Sequence, residues 1–136
     1  ITDFPNAKLI GVKNCICVPH LGASTPEAED NCAVMAAHQL VDYIENGNIT
    51  NSVNYPAVYL TRTEGKGRVQ ILHRNVKNII TKFTSAIADQ GLNIANMASS
   101  SKGEFACSIM DTDGAIPEKT ISAISAIEGV LRVRSL

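Results

Sequence analysis

The chain has 136 residues, 45% of them hydrophobic and 18% charged, and its formal net charge is -1. This length suits one domain or two small ones, and the balance of residue types is that of a folded globular protein. A nearly neutral chain lacks the basic surface that binds nucleic acid or an anionic membrane, and no apolar run approaches the roughly 20 residues of a membrane span. The start does not resemble a signal peptide, and because residue 1 is Ile rather than Met we expect a longer gene product.

Four cysteines stand at positions 15, 17, 32 and 107. No C-x-x-C pair is present, so we expect reduced thiols and a cytoplasmic location. A zinc site would have to combine side chains near the start of the chain, namely Cys15, Cys17, His20 and Cys32. Their spacing is not that of a known closed site, and we therefore expect no metal.

The first predicted helix follows Ser24-Thr25-Pro26-Glu27, which offers a hydroxyl cap and a proline in the first turn. Behind it, apolar residues recur at helical spacing for about 20 residues, and Gly47 supplies a left-handed stop. Only short strand-like runs, such as residues 15–18, precede this helix. They cannot cover its apolar stripe, so we expect the packing partner of the helix to lie outside this chain.

Residues 48–67 are rich in Asn, Gly and Pro, and they predict a linker with one short strand at 57–61. From residue 68 onwards strands and helices alternate regularly. Asn75 is the predicted cap of a helix that starts at Val76, and Pro117 opens a second helix. The predicted strands cover residues 68–74, 92–100, 104–110 and 130–136.

The resulting βαββαβ order predicts an α+β, ferredoxin-like domain: an antiparallel four-stranded sheet with both helices on one face. A domain of about 69 residues buries little apolar surface, and one face of its sheet would stay open. We therefore expect pairing with a second copy. An RNA-binding interpretation of this fold is unfavourable, because the strands carry only Phe105 as an aromatic and no basic stripe.

Three short segments have possible chemistry. His20 lies between a strand and a helix start, where an imidazole can act as a general acid or base or have no role at all. His73 and Asn75 lie at a strand–helix junction, where free amides attract a carboxylate, but they are equally a strand-end His and an N-cap. Asn93 can bind a ligand or only satisfy a turn. Gly65-Lys66-Gly67 lacks the spacing of a phosphate loop.

Four longer strings decide among these alternatives. They are Ile1-Thr2-Asp3-Phe4-Pro5, Pro19-His20-Leu21-Gly22-Ala23-Ser24-Thr25-Pro26-Glu27-Ala28-Glu29, Glu45-Asn46-Gly47-Asn48-Ile49 and Asn51-Ser52-Val53-Asn54-Tyr55-Pro56. With them the chain resembles the C-terminal part of the D-3-phosphoglycerate dehydrogenase family, within the D-isomer-specific 2-hydroxyacid dehydrogenases, and its last 69 residues resemble an ACT domain, an amino-acid-binding regulatory module. The resemblance implies that residues 1–47 correspond to the end of a Rossmann-type NAD-binding region, 48–67 to a linker and 68–136 to the ACT domain.

The resemblance implies that His20 is the acid/base for the hydroxyl of 3-phosphoglycerate in the first step of L-serine biosynthesis. It also implies that NAD contacts Asp3 and the loop His20, Leu21, Gly22 and Ala23. The family glutamate that orients the histidine corresponds here to Lys8. The catalytic arginine and the phosphate loop of the family have no counterpart in this sequence, so the isolated chain is expected to be inactive.

In the ACT part, the resemblance assigns His73, Asn75 and Asn93 to binding of an effector, L-serine or another small amino acid. The Pro and Gly that follow in the serine-inhibited relative correspond to Lys77 and Asn78 here. We expect a homodimer or higher homo-oligomer, with no nucleic acid or membrane partner. The alternative is a stand-alone ACT-type binding or dimerisation module without catalysis.

Overall fold

A computed structural model describes residues 1–63 and 67–136. Two compact units divide the chain: Ile1–Ala37, called here the N-terminal unit, and His38–Leu136, called the sheet unit. The elements are α1 (Pro26–Asn46), β1 (Gly67–Arg74), α2 (Ile79–Ala88), β2 (Ile94–Lys102), β3 (Phe105–Thr112), α3 (Glu118–Ser125) and β4 (Val130–Ser135).

The sheet has the strand order β2-β3-β1-β4, and every pairing is antiparallel. This arrangement confirms the predicted α+β, ferredoxin-like fold, with β2 and β4 at the two edges. In the register, Ile71 and Ser99 both lie opposite Ser108, and His73 lies opposite Ala106. The side chains of His73, Ser108 and Ser99 therefore lie on the same face of the sheet, at the polar end of a cavity.

Both helices of the sheet unit pack on that same face. Their contact with the sheet is made by branched and aromatic side chains, of which Phe83 on α2 and Ile124 on α3 are fully buried. They meet Val69, Ile71 and Met110 from the two central strands. Burial of this many apolar groups is the main stabilising contribution that the fold offers.

The start of α2 differs from the prediction. The helix begins at Ile79, not Val76, and the residue before it is Asn78 with a φ of 62° and no side-chain cap hydrogen bond. The predicted cap, Asn75, instead continues the sheet: its backbone N–H donates to the carbonyl of Glu104. The chain therefore leaves β1 through a turn, and Asn78 takes the left-handed conformation that Asn tolerates.

The second face of the sheet is not open, contrary to our expectation. Leu72, Cys107 and Ile109 of this face are buried under the segment that follows α1, through Ile49 and Val58. These last two residues also form an isolated antiparallel bridge, which is what the predicted short strand at 57–61 becomes.

Arginines hold the C-terminal end of α1 against this face of the sheet unit. Arg68 is fully buried and donates to the two carboxylate oxygens of Asp111 at 2.6 and 2.9 Å, and to the carbonyl of Asn46 at 3.1 Å. Arg134 donates to the carbonyls of Tyr43 and Ile44 at 3.0 and 2.7 Å. The last carbonyls of a helix lack partners within it, so these cations satisfy them and complement the helix dipole.

The N-terminal unit contains none of the buried residues. Its predicted strand at 15–18 is a single parallel bridge between Thr2 and Cys17. The start of α1 agrees with the prediction, because Thr25 Oγ1 accepts a hydrogen bond from the Ala28 amide at 3.2 Å. No residue of α1 is buried. Its large aliphatic side chains are exposed, whereas Tyr43 near its end is half-buried against the second face of the sheet. Among residues 1–63 and 67–136, no helix has both the length and the apolar character to cross a membrane.

Candidate functional site

A cavity of about 380 Å³ opens in the sheet unit where β1 leads into α2. The first turn of α2 lines one side of it and the edge strand β2 lines the other. Backbone amides in the first turn of a helix have no partner within the helix and attract anions. The polar residues that line the cavity are His73, Asn75, Asn78, Thr81, Ser99, Ser100 and Ser101.

His73 is the buried group at the base of this cavity, with only 2% of its surface exposed. Its Nδ1 lies 2.9 Å from the carbonyl oxygen of Arg74 and its Nε2 lies 3.0 Å from Ser108 Oγ, while its ring packs against Phe83. Burial lowers the pKa of His73, and the hydrogen bond to the Arg74 carbonyl opposes this in part. A neutral imidazole with both nitrogens occupied is the result.

Two serines extend this contact toward the edge of the sheet. Ser108 on β3 is fully buried, and its Oγ lies 2.8 Å from the Oγ of Ser99 on β2. Sequence analysis missed both serines. The alternation in β2 predicts that Met97, Ser99 and Ser101 share one face of the sheet. It does not predict that Ser99 is linked to a histidine two strands away.

The structure brings two of the three predicted effector residues together. Asn75 lines the cavity beside His73, and its side-chain amide donates to the carbonyl of Gly103 at 3.2 Å. Asn93 precedes β2, and its backbone N–H donates to the Asp113 carboxylate at 3.0 Å. Asn93 does not line this cavity within one copy of the chain.

The predicted catalytic histidine lies in the N-terminal unit. His20 Nδ1 is 2.5 Å from Asp3 Oδ2, and the His20 ring stacks on Phe4 with the ring centroids 4.6 Å apart. The side chain of His20 is 58% exposed and that of Asp3 49% exposed. Asp3, not the residue at the position of Lys8, is therefore the carboxylate that contacts the imidazole. Because a carboxylate oxygen accepts, Nδ1 of His20 carries the proton of this contact, and Nε2 remains available to another group.

The loop beside His20 is an open surface. Leu21 is 59% exposed, and a Cβ built on Gly22 would meet no atom within 4 Å. Ala23 is exposed as well. These residues form an open surface that does not enclose a ligand.

Two further sequence features concern ions. Within residues 1–63 and 67–136, no three His, Cys, Asp or Glu side chains are grouped closely enough to hold a metal ion. The segment that superficially resembled a phosphate loop, Gly65-Lys66-Gly67, falls for its first two residues outside the described residues.

Comparison with known proteins gives one consistent group of relatives. No protein-family model matches the chain. The chain is 33% identical over 125 residues to D-3-phosphoglycerate dehydrogenase of Escherichia coli K12, covering 90% of this chain and 30% of the relative. It is 31% identical over 123 residues to the Haemophilus influenzae enzyme of that name and covers 30% of that relative. It is 35% identical over 109 residues to D-3-phosphoglycerate dehydrogenase 2 of Saccharomyces cerevisiae and covers 23% of that relative. The chain thus spans less than a third of the relatives it matches.

Among solved structures, the ACT domain from the GTP pyrophosphokinase of Chlorobium tepidum is similar over 54% of this chain and 100% of its own, with 19% identity and a TM-score of 0.42.

Proposed function

We propose that this chain, a homologue of the D-3-phosphoglycerate dehydrogenases over 90% of its length, is the C-terminal, amino-acid-binding part of such an enzyme. The cavity between the first turn of α2 and the edge strand β2 carries the proposal. It joins helix amides that suit a carboxylate with amide and hydroxyl side chains that suit the rest of a small zwitterion. In this assignment residues 68–136 of the sheet unit form the regulatory ACT domain.

The proposed effector is a small amino acid, L-serine first of all. Its carboxylate binds the amides at the start of α2, and Asn75 contacts it beside them. Asn93 does not line the cavity of its own copy, and the proposal assigns it to the ligand bound by a second copy. His73 supports the site from below, since both of its ring nitrogens are already occupied.

The proposed assembly is a homodimer that forms through β2. This strand lies at one edge of the sheet, so the backbone groups on its outer side have no partner strand in the sheet. Pairing of β2 with its copy joins two sheets into one of eight strands. Sedimentation at tens of micromolar protein tests this assembly, and a monomer there would count against it.

The proposed catalytic contribution belongs to the N-terminal unit. His20 takes the proton of the substrate hydroxyl, and the contact with Asp3 holds its ring and stabilises the imidazolium that forms. NAD, when bound in the complete enzyme, supplies the hydride acceptor for 3-phosphoglycerate. His20, Leu21, Gly22 and Ala23 would form one wall of its nicotinamide site, with Asp3 contacting the cofactor from the neighbouring segment. The proposed location of this biosynthetic activity is the cytoplasm.

The isolated chain is expected to form no NADH from 3-phosphoglycerate. His20 alone positions neither cofactor nor substrate, and positioning supplies a large part of the rate of such enzymes. A spectrophotometric assay of the pure chain tests this, and measurable NADH formation would contradict it.

The decisive experiment is calorimetric titration of the chain with L-serine. Asn75→Ala is expected to weaken binding at least several-fold, because a buried zwitterion loses roughly 1–3 kcal/mol when one polar partner is removed. Asn54→Ala is the matched control, since Asn54 is exposed and does not line the cavity. If serine binds to neither protein, the assignment of the cavity is wrong. If serine binds equally to the wild type and Asn75→Ala, the assignment of Asn75 to the site is wrong.

A further inference from the structure

Three hydrogen-bonding groups cross the sheet in a line that ends at the cavity. His73 on β1 contacts Ser108 on β3, and Ser108 contacts Ser99 on the edge strand β2. His73 and Ser108 are buried, whereas Ser99 is exposed and lines the cavity. We call this line the hydroxyl relay.

The proton positions in the hydroxyl relay follow from its first contact. The Arg74 carbonyl can only accept a hydrogen bond, so Nδ1 of His73 carries the proton that reaches it at 2.9 Å. In the neutral imidazole, which burial favours, Nε2 is then the acceptor. The hydroxyl of Ser108 must donate to it, because no other polar group contacts this nitrogen among the described residues.

The direction of the Ser99 hydroxyl, the last group of the relay, follows from the same count of donors and acceptors. Ser108 has used its single proton on His73, so its contact with Ser99 at 2.8 Å requires the hydroxyl of Ser99 to donate. Ser99 in turn has no proton left for a ligand. Its oxygen can only accept, and it presents a lone pair to the cavity.

Resting on the proposed function, we propose that Ser99 is a specificity-determining residue that accepts a hydrogen bond from the α-ammonium group of the amino-acid ligand. Ser108 and His73 are positioning residues, which keep the proton of Ser99 away from the ligand. An ammonium group has three donors and no acceptor, and hydrogen bonds to charged donors are the stronger kind. A ligand that has a carboxylate but no donor in place of the ammonium group leaves the oxygen of Ser99 without a partner.

Calorimetric titration with three ligands tests this assignment. L-serine and L-alanine share the ammonium group, whereas 3-hydroxypropanoate has the carboxylate and the hydroxyl of serine and no polar group in place of the ammonium. We expect Ser99→Ala to weaken both amino acids roughly ten-fold or more, as expected for loss of a hydrogen bond to a charged group. We expect it to change the binding of 3-hydroxypropanoate by less than about two-fold, because this ligand has no donor for Ser99. Ser122→Ala, on the exposed surface of α3, is the matched control and should leave all three unchanged.

Each outcome decides the proposal. If Ser99→Ala weakens L-serine but leaves L-alanine unchanged, Ser99 binds the ligand hydroxyl and the assignment is overturned. If the wild-type chain binds neither amino acid, the proposed function fails and the role of Ser99 fails with it. Equal weakening of both amino acids in Ser99→Ala, with Asn75→Ala without effect, would instead keep the role of Ser99 and relocate the rest of the site.

A measurement without ligand tests the hydroxyl relay itself. Nitrogen NMR of the chain labelled at histidine should show Nε2 of His73 unprotonated and Nδ1 protonated at neutral pH. Ser108→Ala should shift the Nε2 resonance, because its only donor is removed, whereas Ser122→Ala should not. Protonation at Nε2 in the wild type would reverse the direction of the relay and overturn the proposal.

Discussion

The N-terminal unit and the sheet unit present their functional side chains in opposite ways. In the N-terminal unit no residue is buried, and the contact of His20 with Asp3 is made at an exposed surface between two nearby segments of chain. In the sheet unit His73 is almost fully covered, and its partner Ser108 comes from another strand. An exposed pair depends on local sequence, whereas a buried pair depends on the whole sheet. Mutations that weaken the core of the sheet unit should therefore affect the contacts of His73 and leave the contact of His20 with Asp3 unchanged.

The largest expected effect comes from Arg68→Ala in the sheet unit. Removing this guanidinium leaves the buried carboxylate of Asp111 without its partner, and breaking a buried ion pair costs about 3–5 kcal/mol of unfolding free energy. Arg74→Ala is the control, because its contact with Glu104 is exposed and exposed pairs contribute at most about 1 kcal/mol. Urea unfolding of the two variants measures the difference, and similar midpoints would show that the pair at Asp111 is not buried in solution.

Two glycines with similar positive φ angles, one in each unit, allow the packing of the two units to be compared. Gly47 in the sheet unit has a φ of 77° and Gly11 in the N-terminal unit a φ of 82°. An alanine at either position is strained by about 1–2 kcal/mol. Only at Gly47 would its Cβ also meet neighbours, 2.7 Å from Leu136 Cδ1 and 3.2 Å from Gln70 Cβ.

We therefore expect Gly47→Ala to destabilise the chain by roughly 1–3 kcal/mol more than Gly11→Ala, the usual cost of overpacking. Thermal unfolding followed by circular dichroism measures both. Equal losses would mean that the end of α1 shifts to make room, so that the contact with Gln70 is not rigid.

The fold was predictable because its pattern is local. Alternation in the strands, the apolar spacing in the two helices and the closing Gly91 and Gly129 each concern a few neighbouring residues, and together they fix the βαββαβ order. The cover on the second sheet face was not predictable. It depends on Arg68 meeting Asp111 across 43 residues of chain, and no local pattern records which charged residues will be buried as a pair.

The candidate sites show the same limit. The string around His20 indicated a proton-transfer group, but the resemblance offered Lys8 where a carboxylate was needed, and only the structure shows Asp3 at the ring. His73 and Asn75 were predicted as effector residues from their place at a strand–helix junction together with the resemblance. Ser99 and Ser108 were not, because their importance comes from the sheet register that aligns them with the histidine.

A dependence of stability on pH is expected from His73. Burial lowers its pKa in the folded chain from the usual 6.5, so between these two pKa values the unfolded chain binds more protons than the folded one. The contribution of the neutral imidazole is full above pH 6.5 and declines as the pH falls below it. Urea unfolding between about pH 7.5 and 5.0 measures this decline.

The decline should be smaller in His73→Gln, which cannot titrate, than in the wild type. His38→Ala, which removes an exposed histidine of α1, is the control and should keep the decline of the wild type. An unchanged pH profile in His73→Gln would show that another group is responsible.

The smallest effect is expected from the largest change, deletion of the whole N-terminal unit. Every residue of both apolar clusters lies between Tyr43 and Val133, so the shortened chain from His38 to Leu136 retains all of them. The arginine contacts to the end of α1 are retained too, because their acceptors begin at Tyr43. Since the deleted residues bury no side chain, we expect the unfolding free energy to change by less than about 1 kcal/mol. The hydroxyl relay should persist as well, and nitrogen NMR of His73 in the shortened chain checks this beside the urea midpoint. A loss of several kcal/mol, or a changed His73 resonance, would mean that the sheet unit depends on the N-terminal unit and that the contrast between exposed and buried sites is not a contrast between independent parts.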